Sequence, residues 1–226
     1  MPVVAVVNSK GGVGKTTASL LLGTVLAEQG AAVSIIDADP NRHLIAWRTG
    51  SSACPIKIIG DIEDGRLVST IDAERRQRDL VVIDLEGTAS RTVGHAISRA
   101  DLVLVPLQPS AMDASQAWRA VKLIREEEEV LGRPIALRLL LTRTNPQIPT
   151  KAERMIGEDL ARAGIPALKT HLHQRTAYQA MFAYKLALHE LKPSEVNGLP
   201  AAITNAQAFA GEVTQVINGL FEKAAA

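Results

Sequence analysis

The chain has 226 residues, a formal net charge of +1, 46% hydrophobic residues and only 3% aromatic ones. That length and composition suit one α/β domain with an aliphatic core, and the charge by itself points to no partner. Cys54 is the only cysteine, which excludes a disulfide within the chain and an iron–sulfur cluster held by several of its own thiolates. No apolar run nears the roughly 18–20 residues that span a bilayer, and no charged n-region followed by an apolar h-region opens the chain. The expectation is a soluble, cytoplasmic protein.

In chain order, an apolar run over 3–7 leads into Asn8-Ser9-Lys10-Gly11-Gly12-Val13-Gly14-Lys15-Thr16-Thr17. A helical pattern of Ala18, Leu21, Leu22, Val25 and Leu26 leads out and stops at Gly30. Strand, glycine-rich turn and helix N-terminus form the layout of a phosphate-binding loop. Successive backbone N–H groups can face an anion there, and the helix dipole adds partial positive charge. Gly11, Gly12 and Gly14 permit close backbone approach. Lys15 is placed to reach the β- and γ-phosphates and the Thr16 hydroxyl to ligate Mg²⁺, with Val13 and Thr17 completing the cradle. The pattern G-x-x-x-x-G-K-[ST] is not met, because Ser9 stands at its first glycine; Lys10 stands at the front instead.

A short strand over 32–36 delivers Asp37-Ala38-Asp39-Pro40-Asn41-Arg42 to its carboxyl end, the edge where ligands bind in open parallel sheets. Pro40 keeps Asp39 extended. The two carboxylates either serve the phosphate site or cap the next helix. A third strand over 56–59 and a helix around 62–76 precede Asp79-Leu80-Val81-Val82-Ile83-Asp84. This is a buried strand ending in a carboxylate, the shape that holds Mg²⁺ directly or through water.

A strand over 101–107 follows, then a helix started by Asp113 with Gln116 three residues on. Ala117, Val121 and Ile124 face the core, and Glu126 to Glu129 form a solvated helix end. A strand over 135–141 runs into an Asn145-Pro146 turn. A helix over 151–163, a short strand near Leu168, a helical stretch over 174–186 and a last helix with Phe209, Val213, Val216, Ile217 and Leu220 on one face complete the chain. His171 and His173 share one side of a strand or loop, but no further ligands are placed beside them, so exposed histidines are expected rather than a metal site. Residues 131–185 hold nine Lys/Arg against three acids, a local charge of +6 and a candidate polyanion footprint.

Lys-Gly-Gly-Val-Gly-Lys-Thr over 10–16 resembles the deviant phosphate loop of the ParA/MinD family of ATPases, ParA-like branch. The Asp-x-Asp-Pro string at 37–40 resembles that family's first switch and 80–84 its carboxylate-ending strand, and the resemblance follows nearly the whole chain in order of elements. It implies a doubly wound α/β fold, a mainly parallel sheet with helices on both faces, as one domain over 1–226. It also implies ATP and Mg²⁺ as cofactors and hydrolysis of ATP to ADP and phosphate. By the same resemblance Lys10 reaches across a nucleotide-sandwich homodimer to the partner's phosphates. Asp39 orients or activates the attacking water and Asp37 supports the Mg²⁺ shell. Asn145 lies near the adenine, although an Asn-Pro turn explains that residue equally well. Arg175 and Lys185 belong to a region that binds DNA without sequence preference once the dimer forms. One departure stands out: the family's second switch carries one or two prolines after the strand's Asp, whereas this chain has Leu85-Glu86-Gly87-Thr88-Ala89-Ser90.

The function so implied is a nucleoid-associated, ParA-like ATPase that partitions or positions a cargo: a plasmid, a chromosome region or a protein complex. A ParB-like or adaptor protein stimulates its hydrolysis. Lys223 alone flanks the apolar face of the last helix, which weighs against membrane targeting. Two rivals are a DNA-binding accessory of conjugative transfer and an ATP-dependent small-molecule ligase on the same fold; no separate substrate constellation supports the latter.

Overall fold

The computed structural model describes residues 1–63, 65–87, 90–147 and 151–225, without the side chains of 111–114, 116, 152, 161, 224 and 225. The expected capping pair of Asp113 and Gln116 and the switch residues Thr88 and Ala89 therefore lie outside what is described. Strand and helix alternate: β1 (Val3–Val6), α1 (Lys15–Glu28), β2 (Val33–Ala38), α2 (His43–Arg48), β3 (Lys57–Ile59), α3 (Leu67–Arg75), β4 (Leu80–Leu85) and α4 (Arg91–Arg99). They continue as β5 (Leu102–Leu107), α5 (Ala111–Leu131), β6 (Ala136–Thr144), α6 (Lys151–Arg162), β7 (Leu172–His173), α7 (Thr176–Tyr184) and, after a 3-10 turn over Leu188–Glu190, α8 (Leu199–Ala225). The seven strands form one sheet in the order β3-β2-β4-β1-β5-β6-β7, and every pairing is parallel. This is the doubly wound α/β fold that the sequence pattern implies.

The strands are apolar on both faces because helices cover both. Val4 and Val6 join Leu20, Leu21 and Phe209 in one layer, while Val3, Ala5 and Val7 join Val121, Ile124 and Leu139 in the other. Each fully buried Leu or Ile adds about 1.5–3 kcal/mol. The helix after the phosphate loop departs from the one-sided pattern expected of it. In α1, Leu20, Gly23 and Thr24 are buried as well as Ala18, Leu21 and Val25, because α8 covers its outer side. Gly23 lies so close to β2 that a Cβ there would come within 2.6 Å of the Ile35 Cδ1.

Other differences are local. The strand expected near Leu168 is instead a single bridge between Leu139 and Ala167, and the edge strand forms at β7, where Leu172 pairs with Thr142. Helix α3 begins later than its pattern suggests, at Leu67, and α4 is additional. Glu74 on α3 is a buried acid with its charge satisfied: it accepts from the Ser34 hydroxyl at 2.6 Å and from the Lys57 ammonium at 2.5 Å, and pairs with Arg78. Among the described residues no helix is long and apolar enough to cross a membrane.

Candidate nucleotide-binding site

The phosphate loop follows the central strand β1 and is braced from β5 and β6. Asn8 is buried; its amide donates to the Pro106 carbonyl at 2.6 Å and its Oδ1 accepts from the Lys10 N–H at 2.9 Å. Gln108, just past β5, donates to the Gly12 carbonyl at 3.0 Å. Thr142 on β6 donates to the Val13 carbonyl at 2.7 Å. Gly12 and Gly14 take φ values of 74° and 97°, the left-handed region that glycine adopts without cost. Gly14 is the N-cap of α1 and no side chain caps that helix, so its first turn presents backbone N–H groups to an anion.

Lys15 is 6% exposed, and its Nζ donates to the Lys10 carbonyl at 3.1 Å. Burial pulls its pKa below the ordinary lysine value, against the opposing charges of Asp84, Asp39 and Glu86. Asp84 is fully buried. Its Oδ1 accepts from the Ser19 hydroxyl at 2.9 Å, and its Oδ2 has no hydrogen-bond partner. Burial pushes the Asp84 carboxyl up to about 7; the Thr16 and Ser19 hydroxyls draw it down, Asp37 raises it and Lys15 lowers it. A buried carboxylate oxygen without a partner costs about 1–3 kcal/mol. Beside a threonine hydroxyl it fits Mg²⁺, a hard cation that takes oxygen ligands. Thr16 and Asp84 are the residues that would hold the ion, which would supply positive charge to neutralise the phosphates.

The two carboxylates at the carboxyl end of β2 divide their roles. Asp37 is buried, and its Oδ2 accepts from the N–H groups of Leu44 and Ile45, each at 3.0 Å. Burial raises its pKa and these amides lower it, with a net upward shift. Asp37 thus ties down the first turn of α2, and it stands close enough to Asp84 for its like charge to raise the Asp84 pKa. Asp39 is half-buried, and its Oδ1 accepts from the backbone and side-chain amides of Asn41, both at 2.8 Å. It lines a cleft of about 250 Å³ with Gly11, Gly12, Lys15, Thr16 and Gly87.

A second cavity of about 170 Å³ shares Gly14, Thr17 and Arg143 with that cleft and extends past His173, Arg175 and Tyr178. The Nε of Arg175 is buried there without a hydrogen-bond partner. Arg175 is therefore a cavity residue, not part of an open basic face as expected. Lys185 does not join it: its left-handed backbone ends α7, and its Nζ donates to the Thr49 hydroxyl at 2.8 Å. Asn145 is not among the residues lining either space; its Oδ1 accepts from the Gln147 N–H at 2.9 Å in a local turn, the alternative that the Asn-Pro pair offers. Nor do the cations of 131–185 gather in one stripe. Arg133 and Lys169 precede β6 and β7 at the amino edge of the sheet, while Arg143, in the last residues of β6, and Arg175, after β7, lie at the other.

His171 and His173 are half-buried rather than exposed, and the His173 Nδ1 lies 2.8 Å from the Thr144 hydroxyl. Among the described residues no group of three or more potential metal-ligating side chains includes them. Sequence reasoning missed the braces Gln108 and Thr142. Their one signal is position: each is the first polar residue at the carboxyl end of an apolar strand.

A braced glycine loop on the central strand, an α1 lysine and a carboxylate on the neighbouring β4 define the class as a P-loop nucleotide-binding protein. Residues 1–217 match the family model of the VirC1 protein. The chain belongs to this VirC1/ParA family, whose members are partition or positioning ATPases of the ParA/MinD type. Protein ParA of Rhizobium radiobacter is 42% identical over 211 residues, covering 93% of this chain and 95% of that protein. The maintenance of carboxysome distribution protein A of Halothiobacillus neapolitanus is 24% identical over 219 residues, covering 95% and 94%. Among solved structures, a Borrelia burgdorferi protein described as a plasmid partition protein, bound to AMPPNP, superposes with a TM-score of 0.71 at 15% identity. That match covers 95% of this chain and 98% of the other, and at such identity it speaks for the fold.

Proposed function

We propose that this chain hydrolyses ATP, forms an ATP-dependent homodimer, and uses that cycle to hold DNA without sequence preference while it partitions or positions a cargo. The observation that carries the nucleotide assignment is the partnerless buried oxygen of Asp84 beside Thr16, at the foot of a braced phosphate loop. The phosphates occupy the cleft over Gly11–Thr17, with Lys15 and the α1 amides neutralising them, and the base and ribose extend into the adjoining cavity toward Arg175. Asp39, on the wall of the cleft, orients the attacking water. Lys10 at the front of the loop contacts the partner's nucleotide. Asp39→Ala should then bind ATP and accumulate the dimer; normal turnover in that variant removes Asp39 from the mechanism.

Support for DNA as the matrix is the exposure of Arg133, Arg143, Lys151, Arg154, Arg162 and Lys169, cations spread over both edges of the sheet that would meet phosphates without reading sequence. A partner protein that stimulates hydrolysis would release the dimer. Light scattering with Mg²⁺ and ATP or AMPPNP tests the dimer, and retention on random duplex at low and high salt tests the matrix. Retention should require ATP and fall steeply with salt as counterions are released. A protein that stays monomeric with AMPPNP lacks the sandwich cycle. Retention on one sequence alone would make it a transfer accessory instead.

A further inference from the structure

Arg143 lies inside β6 with a φ of 53°. That is the left-handed region, which costs a residue with a Cβ and which glycine enters freely. Among the described residues it is the one non-glycine residue of a strand held there. The register of β6 against β7 shifts at the same place, between Thr142 and Thr144. Such a bulge re-aims a side chain at the end of a strand. Both neighbours of Arg143 are pinned: the Thr142 hydroxyl donates to the Val13 carbonyl, and the Thr144 hydroxyl lies 2.8 Å from the His173 Nδ1. The two threonines are buried, whereas Arg143 is exposed. Among the described residues its guanidinium takes part in no hydrogen bond or ion pair, so no contact of that side chain offsets the backbone strain.

Arg143 lines the phosphate cleft and the adjoining cavity at once, and shares both with Gly14 and Thr17. Those two residues belong to the helix end of the loop, whose N–H groups cradle the α- and β-phosphates, while Lys15 reaches toward the β- and γ-phosphates. Resting on the nucleotide assignment above, we infer that the bulge in β6 sets the Arg143 guanidinium against the α-phosphate, at the joint between ribose and polyphosphate. A guanidinium presents a planar fork of donors that matches two phosphate oxygens. ADP and ATP share the α-phosphate, so Arg143 holds both alike and does not tell them apart.

Calorimetry with Mg²⁺–ADP and with Mg²⁺–AMPPNP, in the absence of DNA, tests this on the wild-type chain, Arg143→Gly, Arg143→Ala and Arg143→Lys. The glycine and alanine variants should lose about tenfold or more in affinity, by the same factor for both nucleotides. Arg143→Lys should restore only part of that loss, because an ammonium keeps the charge without the fork. Without nucleotide, Arg143→Gly should melt about 2 °C or more above Arg143→Ala and no lower than wild type, since glycine alone relieves the backbone. Undiminished stability together with lost affinity is a result that a purely structural arginine would not give. Unchanged affinities in Arg143→Gly overturn the inference and leave the nucleotide assignment standing. A loss confined to AMPPNP overturns it too, because the guanidinium would then meet the terminal phosphate. Arg143→Gly melting below wild type overturns the role of the bulge. If the wild-type chain binds neither nucleotide, the assignment itself falls, and the inference with it.

Discussion

The Nζ of Lys15 donates to the main-chain carbonyl of Lys10 at 3.1 Å, so the loop's two lysines are joined through the backbone before any nucleotide arrives. Lys15 holds the loop shut and stands buried beside Asp84. Lys15→Ala should remove the charge that neutralises the phosphates and lower ATP affinity about a hundredfold or more, an electrostatic loss of about 3 kcal/mol. Calorimetry reads this directly, and an unchanged affinity would contradict the phosphate-loop assignment.

Lys10 gives a different expectation. Its own N–H and carbonyl are held by Asn8 and Lys15, and its side chain sits at the front of the loop. Lys10→Ala should leave ADP affinity of the monomer nearly intact but impair ATP-dependent dimerisation, and with it hydrolysis and DNA retention. Sedimentation with AMPPNP decides the point: a variant that dimerises like wild type has no need of Lys10 across the interface.

Asp84 is costly in the nucleotide-free chain because its carboxylate is buried with one oxygen unpartnered. Asp84→Asn should therefore raise the melting temperature without nucleotide, by about 2–4 °C for each kcal/mol of burial cost removed. It should also abolish the Mg²⁺-dependent part of ATP affinity. A variant that melts lower and still gains affinity from Mg²⁺ would remove Asp84 from the metal site.

Arg175 and Asn145 separate the cavity from the turn. Arg175→Ala should weaken nucleotide binding about tenfold or more, because a charged donor facing the ligand is lost, while Asn145→Ala should change it little. The reverse order, measured by nucleotide titration, would return the base to the β6–α6 turn.

Glu74 sets an acid limit on stability. Burial pushes its carboxyl up, but the hydrogen bonds from Lys57 and Ser34 and the Lys57 charge outweigh burial and hold it below the ordinary value of 4.5. A depressed folded pKa stabilises above the unfolded value, and that stability is lost as pH falls through the folded one. The Lys57 bond is the largest of these and the Ser34 bond the next, and because Lys57 is half exposed its charge is partly screened by solvent. Glu74→Gln should cost about 1.5–3 kcal/mol at neutral pH and flatten the fall in melting temperature below pH 4.5. A parallel pH profile in the variant would rule Glu74 out as the titrating group.

The alternation of apolar runs and helical patterns, the loop over 10–17 and the carboxylates at 37, 39 and 84 were legible in the chain. Each is a local property: neighbouring glycines set the turn, and a strand's last residue sets where a carboxylate emerges. The edge strand at Leu172 was not legible, because two residues carry no periodicity and their pairing with β6 supplies the only signal. The burial of α1 on all sides was hidden for a related reason, since α8 covers it from almost two hundred residues away in sequence.

The sequence by itself determined that a phosphate loop stands between a strand and a helix, with Lys10 in front and Asp84 on another strand. Tertiary structure alone decided what those residues touch. The order β4-β1-β5-β6 sets Asp84 beside Ser19 and brings Gln108 and Thr142 onto the loop's carbonyls. Asp37 ties down the first turn of α2 because that helix starts within reach of its carboxylate, and Arg175 became a cavity residue because β7 joins the sheet next to β6. Hydrogen bonds and close contacts act over about 3–4 Å in space, a distance that the chain's own order does not encode until its strands have chosen their neighbours.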